Sequence, residues 1–524
     1  MAIKRYVANA DTTITNAFEA NLTTRGTGSN MGASDSLEVF SIYGQAVSGS
    51  DAAKTSELSR ILINFPAADI ATDRTNSDIP ASGSVSFYLR MFNAEHATTV
   101  PKNYTLVASA VTADWEEGDG LDMETYTDLT KGVTGSDWMN TKPGTAWARP
   151  GGDYDLNFAS SSFKQNFDNG TEDIEMDITP LVEQWVNSAG NVFGDKSSAR
   201  YGIGVFLTSS QEAIYTGSEE NVGILHNPTG STISYYTKKF FARGTEYFFK
   251  RPVIEARWDS SKKDNRGNFY LSSSLASPSD NLMKLYFYNY VKGQLKNIPV
   301  VETGTILVSL YSGSSANTHP TASGKLELSA GGGTVTAADQ NTTASYVETG
   351  IYSASFTLTG SSTLTKIFDV WHTGGAATHT QYRTGSGINV KSLNAAGYDP
   401  NPNYVVSMPN LRQKYSTSET ARLRVSARKK DWSPTIYTKA SNTVQFSTVE
   451  DAYYKIYRVR DDHTAIDFGT GSLNHTRLSY DTSGSYFNLN MSLLEKGYMY
   501  GIKYVFYENG KYTEQADTFK FRVE

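Results

Sequence analysis

Val85, Phe87, Leu89 and Met91 alternate with Ser86, Tyr88 and Arg90. Strand side chains point to opposite faces with a period of two, so this run predicts a strand with one face in a core. Residues 104–109 (Tyr-Thr-Leu-Val-Ala-Ser) keep the same period. Residues 60–65 (Arg-Ile-Leu-Ile-Asn-Phe) form a compact apolar run, and Pro66 is read as its stop. Residues 201–207 and 252–258 supply two further strands. One phrase departs from the pattern. In residues 177–186, Leu181, Val182, Trp185 and Val186 fall on one face at helical spacing. Thr179 is the expected N-cap, Pro180 suits the first helical position, and residues 187–190 give a stop. Residues 117–175 are rich in Gly, Asp, Ser and Asn. They are too long for a hairpin loop and predict a surface excursion or insertion.

The pattern divides the chain. Residues 1–258 make a first domain, and the polar segment 259–267 is expected as a linker. A second unit, 268–390, has strands at 284–291, 305–311, 351–358 and 367–371 between Gly- and Ser-rich turns. It predicts a small Greek-key sandwich of immunoglobulin-like type. A third, 391–524, has strands near 421–426, 453–457, 487–491, 500–506 and 519–523. Phe519, Phe521 and Val523 share a face there, so the last strand should be tied down.

Composition agrees with this picture. Tyr (33) and Phe (24) are abundant and Pro (15) is modest, as in β-sandwich proteins. With 39% hydrophobic and 19% charged residues, packed cores are expected rather than disorder. The net charge of −7 disfavours nucleic acid and anionic membranes as partners. The absence of cysteine excludes disulfides and thiolate chemistry. The first residues lack an apolar signal-peptide stretch, and no run is long and apolar enough to span a membrane, so synthesis and assembly in a cytosol are expected.

Candidate chemistry is sparse. Trp115-Glu-Glu-Gly-Asp-Gly-Leu-Asp122 is the densest acidic and aromatic cluster. Trp115 is either a sugar-stacking platform, with Glu116 or Asp119 accepting from hydroxyls, or a side chain packed into the sandwich end. Trp147 has the same two readings. Asp119, Asp122 and Glu124 are calcium candidates, although EF-hand spacing is missing. No cofactor is expected. The seven histidines are scattered and match no catalytic motif, and no carboxylate pair stands out, so catalytic residues are expected to be absent. Lys238-Lys-Phe-Phe-Ala-Arg243, near Tyr235, Tyr236, Tyr247 and Phe248, is basic and aromatic; it is either a polyanion contact or a strand pair facing a core or subunit.

The order of elements in the first domain carries a resemblance. "LSRILINFPAADI", "IPASGSVSFYLRMF", "VTADWEEGDGLD", "TAWARPGG", "MDITPLVEQWV", "YGIGVFLTSS" and "RPVIEARW" follow one another. This series resembles the DNRLRE-type β-sandwich family, modules similar to carbohydrate-binding domains. The family Asp after the first strand is replaced, since Pro66 follows Phe65. The resemblance, which covers about half the chain, implies an N-terminal jelly-roll-like β-sandwich with one short capping helix; with the strand pattern beyond it, the expected fold is all-β, that domain being followed by two smaller immunoglobulin-like β-sandwich domains. The opening "MAIKRYVANADTTITNAF", "SYYTKKFFARGTEYFFKRPVIEARW" and "DNRGNFYLSSSL" also resemble virion structural proteins of large tailed cyanobacterial and marine bacteriophages. That resemblance implies a non-enzymatic structural protein of the virion, assembled in the host cytoplasm. Its partners would be other virion structural proteins and further copies of itself. The alternative is a glycan-binding module that adheres to host-surface polysaccharide.

Overall fold

The computed structural model describes residues 2–524 apart from 20–23, 45–55, 97–98, 122–133, 156–162, 188–200, 218–222, 313–324, 332–340, 360–363, 375–379, 392–398, 433–435 and 437–445. The chain forms two compact units, Ala2–Asp259 and Ser260–Glu524. Both are built from strands, in keeping with the expected all-β sandwich class.

The first unit packs two antiparallel sheets. One has four strands in the order Ile3–Val7, Val253–Arg257, Ser86–Met91 and Ile174–Asp177. The other runs Tyr235–Phe241, Ser36–Ile42, Glu57–Asn64, Ile203–Leu207, Tyr104–Ala110 and Lys164–Phe167, with Ala10–Thr15 also paired to Glu57–Asn64. The alternation read in residues 85–91 sets the register. Leu89 lies opposite Ile254 and Met176 on the core side, while Arg90 lies opposite Glu175. Ile61 and Ile63 of the second sheet face the same core.

Helix α1 (Ala67–Thr75) starts directly after Pro66, where only a strand stop was expected; Ile70 and Ala67 enter the core. With two buried apolar positions in nine residues, its amphipathic signal is too thin to read. Helix α2 (Thr179–Asn187) is the expected one, with Leu181, Val182 and Trp185 in the core. Burying such an aromatic contributes about 1.5–3 kcal/mol. The capping differs from expectation. The Thr179 hydroxyl accepts from the Phe87 N–H, and the Asp177 carboxylate accepts from Thr179 N at 2.9 Å. Arg74 of α1 grips Glu183 of α2 through two hydrogen bonds of 2.5 and 2.6 Å, so two helices cover the core where one was expected.

Of the predicted excursion 117–175, the part up to residue 155 is a cover, whereas Lys164–Phe167 and Ile174–Asp177 are corrected to strands of the two sheets, too short and polar to show a period. On the strand Glu57–Asn64, Leu58 and Leu62 point away from the central core. The described parts of 112–155 lie over them and close a second apolar cluster that holds Trp115, Trp138 and Trp147. The seven-stranded sheet is therefore buried on both faces in this region.

In the second unit, nine strands between Phe269 and Lys391 connect into one sheet around a core that includes Leu285, Phe356 and Trp371. The last residues form two sheets, of four and six strands. Tyr454 of one stacks on Phe487 of the other with ring centroids 4.1 Å apart. Phe521 and Val523 of the final strand are buried, and that strand pairs with Met499–Glu508.

The expected linker is corrected beyond residue 259, because its residues are packed into the second unit. Tyr480 N–H donates to the Lys262 carbonyl, and Asp264 N–H donates to the Tyr480 carbonyl. Asn265 accepts from Lys284 N–H and donates to the Tyr480 hydroxyl. Arg266 makes a bidentate pair with fully buried Asp369 at 2.7 and 2.5 Å and also donates to the Tyr286 carbonyl. Polar composition signals a linker only when the polar groups face water. Here they satisfy one another inside the fold.

Candidate functional site

The first unit carries a cavity of about 750 Å³ on the outer face of its seven-stranded sheet. Its floor comes from outward-facing strand positions: Arg60 on Glu57–Asn64, Phe206 on Ile203–Leu207 and Val107 on Tyr104–Ala110. Tyr154 lies against Phe206 with centroids 4.7 Å apart. Gly204 permits this approach, since a Cβ there would sit 2.1 Å from the Tyr154 ring. The rim is polar and includes Arg149, Asp153, Lys164, Thr208, Ser209, His226 and Asn227.

Arg60 is the organising residue. It is 9% exposed and pairs bidentately with Glu212, itself 6% exposed, at 2.9 and 2.8 Å. A third hydrogen bond reaches the Gly151 carbonyl. The guanidinium carbon lies 4.8 Å from the Phe206 centroid and 5.5 Å from that of Tyr154, within cation–π range. Burial, the largest single effect, would lower the Arg60 pKa, but the charges and hydrogen bonds of Glu212 and Tyr154 together outweigh it and the net direction is upward. Burial pushes the Tyr154 hydroxyl upward too, so it stays protonated. A fixed cation, a phenol and a rim of donors and acceptors can hold a polar ligand through directed hydrogen bonds.

The residues singled out from sequence lie elsewhere. Trp115 is 9% exposed and donates its indole N–H to the Tyr201 carbonyl; Trp147 is 5% exposed and donates to the Asp137 carbonyl. Neither ring presents an open face to a sugar, so the packed reading holds for both. Glu116 and Asp119 are exposed, and Asp119 accepts from the Thr134 hydroxyl. Asp122 and Glu124 lie outside the described residues. Among the described residues, no group of three or more His, Asp or Glu is placed to hold a metal ion. No described helix is long and apolar enough to cross a membrane.

The acidic loop is anchored by Glu117, which sequence reading passed over. It forms a bidentate pair with Arg243 and accepts from Asp11 N–H at 2.9 Å. Asp11 is 1% exposed and accepts from Arg243 N–H at 2.5 Å. Burial, aided by the Glu117 charge, pushes its pKa up to about 7 against the lowering effect of Arg243. Gly118 is left-handed, and a Cβ there would strike the Asn30 side chain at 2.3 Å. In the basic segment, Lys239 pairs with Glu38, Arg243 pairs with Glu117 and Lys238 is buried, so little of its charge is offered to a polyanion. Tyr236, Tyr247 and Phe248 remain exposed.

No family model matches this chain, and no curated protein matches it. Among solved structures, it is similar to a Ca2+-stabilized adhesin with which an Antarctic bacterium binds ice, at 12% identity and a TM-score of 0.14, covering 52% of this chain and 54% of that one. It is also similar to the native conformation of E. coli alpha-2-macroglobulin, at 7% identity and a TM-score of 0.15, covering 98% of this chain and 26% of that one. The chain thus spans about half the length of the first and a quarter of the second. Likenesses this low carry no functional argument.

Proposed function

We propose that this chain is a non-enzymatic structural component of a tailed-phage virion, working through contacts with other virion proteins and with copies of itself. The observation that carries the reading is the clamp at residues 260–268. It hydrogen-bonds into the strands around Lys284, Asp369 and Tyr480, so the sandwich modules of the second unit are fastened to each other rather than hinged. A part that passes load between neighbours needs such stiffness. The resemblance of the opening residues and of residues 234–258 to virion structural proteins supports the same reading. Mass spectrometry of purified virions should find the protein at a reproducible copy number per particle. Its absence from virions would sink the reading.

The cavity over Arg60 favours a second reading, binding of an acidic host-envelope glycan. Arg149 and Lys164 on the rim would meet carboxylates, and Asp153 and Asn227 would meet hydroxyls. On a glycan array, wild-type protein should bind acidic polysaccharides and an Arg149→Ala/Lys164→Ala variant should lose them. Equal binding by both proteins, or none by either, counts against it.

A further inference from the structure

Lys238 lies inside the first unit, 2% exposed, on the strand Tyr235–Phe241. Its Nζ is 2.5 Å from Asn93 Oδ1, 2.8 Å from the Glu172 carbonyl and 3.2 Å from the Gly170 carbonyl. The Phe240 and Phe167 ring centroids lie 4.8 and 5.2 Å from it. Asn93 follows the strand Ser86–Met91 and bridges to Phe240, and its own N–H donates to Asp173. His96 Nε2 reaches the same Asn93 oxygen at 2.6 Å. Glu172 adds a buried carboxylate oxygen, Oε2, with no hydrogen-bond partner among the described residues.

We infer that Lys238 and Asn93 join in an intramolecular isopeptide bond, stapling the edge strand of the seven-stranded sheet to the four-stranded sheet. The Lys238 amine attacks Asn93 Cγ. The Nζ–Cγ bond forms, the Cγ–Nδ2 bond breaks and ammonia leaves. The amine gives up one proton and the departing Nδ2 gains one, so the exchange balances without oxidant, metal or co-reactant.

Each requirement has a residue. The nucleophile must be the neutral amine. Burial lowers the Lys238 pKa to about 8, the charges of Asp173 and Glu172 notwithstanding. In the resting geometry Nζ donates to three oxygens, Asn93 Oδ1 and the Gly170 and Glu172 carbonyls. Loss of the proton held by Asn93 keeps the other two donors in place and frees a lone pair on the Asn93 side. Held contact of this kind replaces a bimolecular encounter, which is where most of the rate of such a reaction comes from. The Nε2–H tautomer of His96 polarises the Asn93 carbonyl as charge builds on its oxygen. The Asp173 and Glu172 carboxylates, whose charges both act on Lys238, are the bases on hand to relay the proton from lysine to ammonia. A second contact gives an internal contrast. Lys391 Nζ lies 2.8 Å from Asn268 Oδ1, but Lys391 is an exposed residue whereas Lys238 is 2% exposed, so water competes for its ammonium and no bond is expected there.

The test is the mass of the full-length recombinant chain with peptide mapping. The chain should weigh one ammonia less than its sequence requires, and digestion should release a branched peptide joining Asn93 to Lys238. Lys238→Arg and Asn93→Ala should each restore the full mass, and Glu172→Gln should slow the ammonia loss. Full recovery of separate, unmodified peptides carrying Lys238 and Asn93 from wild-type protein overturns the inference, as does a branch that maps to Lys391 and Asn268. The wild-type measurement decides even where a variant fails to fold.

Discussion

Asp11→Asn should stabilise the first unit, and should do so only above acidic pH. The native pKa of Asp11 is raised from 3.8 to about 7 by burial. Below about pH 3.8 the carboxyl is protonated in both folded and unfolded chains and costs nothing. As pH rises from there to about 7, the unfolded chain releases its proton while the folded chain holds it or carries a buried charge. Stability therefore falls through that window and stays lowered above it. The gap between the two pKa values corresponds to on the order of 4 kcal/mol. Asparagine keeps an oxygen to accept from Arg243 N–H and carries no charge, so it removes the penalty. For a unit of this size the gain corresponds to roughly 10 °C in Tm. Thermal unfolding of wild type and variant, followed by calorimetry at several pH values, measures it. The curves should coincide near pH 4 and separate to the full difference by pH 8. A variant less stable than wild type at pH 8, or a difference that ignores pH, refutes the reasoning.

Glu212→Gln should destabilise the first unit by about 3–5 kcal/mol in denaturant titration, because Arg60 is left charged and buried. Replacing both partners by apolar residues of similar volume should cost far less. Arg266→Ala should cost the second unit about 3–5 kcal/mol by leaving the Asp369 carboxylate unpaired in the core, again read by denaturant. Trypsin should spare Lys262, Lys263 and Arg266 in native protein, since that backbone is hydrogen-bonded on both sides; early cleavage there would contradict the clamp. Trp138→Ala, which empties a fully buried site under the cover segment, should cost about 3–5 kcal/mol by the same titration.

Elements whose signal is local and repeated were legible along the chain. The period-two run at residues 85–91 determined its strand and the face it buries. Leu181, Val182 and Trp185 determined a helix and its buried side. Phe521 and Val523 determined the anchoring of the last strand. Tertiary structure decided what depended on partners far along the chain. Trp115 and Trp147 look the same in sequence whether they stack on a sugar or pack under a cover, and only the cover's position selects between the two. Residues 260–267 read as a linker because polarity along a chain does not say whether water or Tyr480 and Asp369 will satisfy it. Arg60 opens an apolar run and gives no sign of Glu212, 152 residues away. Lys238 and Asn93, 145 residues apart, meet because two sheets close on each other there. Local periodicity records which way a side chain points; it does not record what waits on the other side.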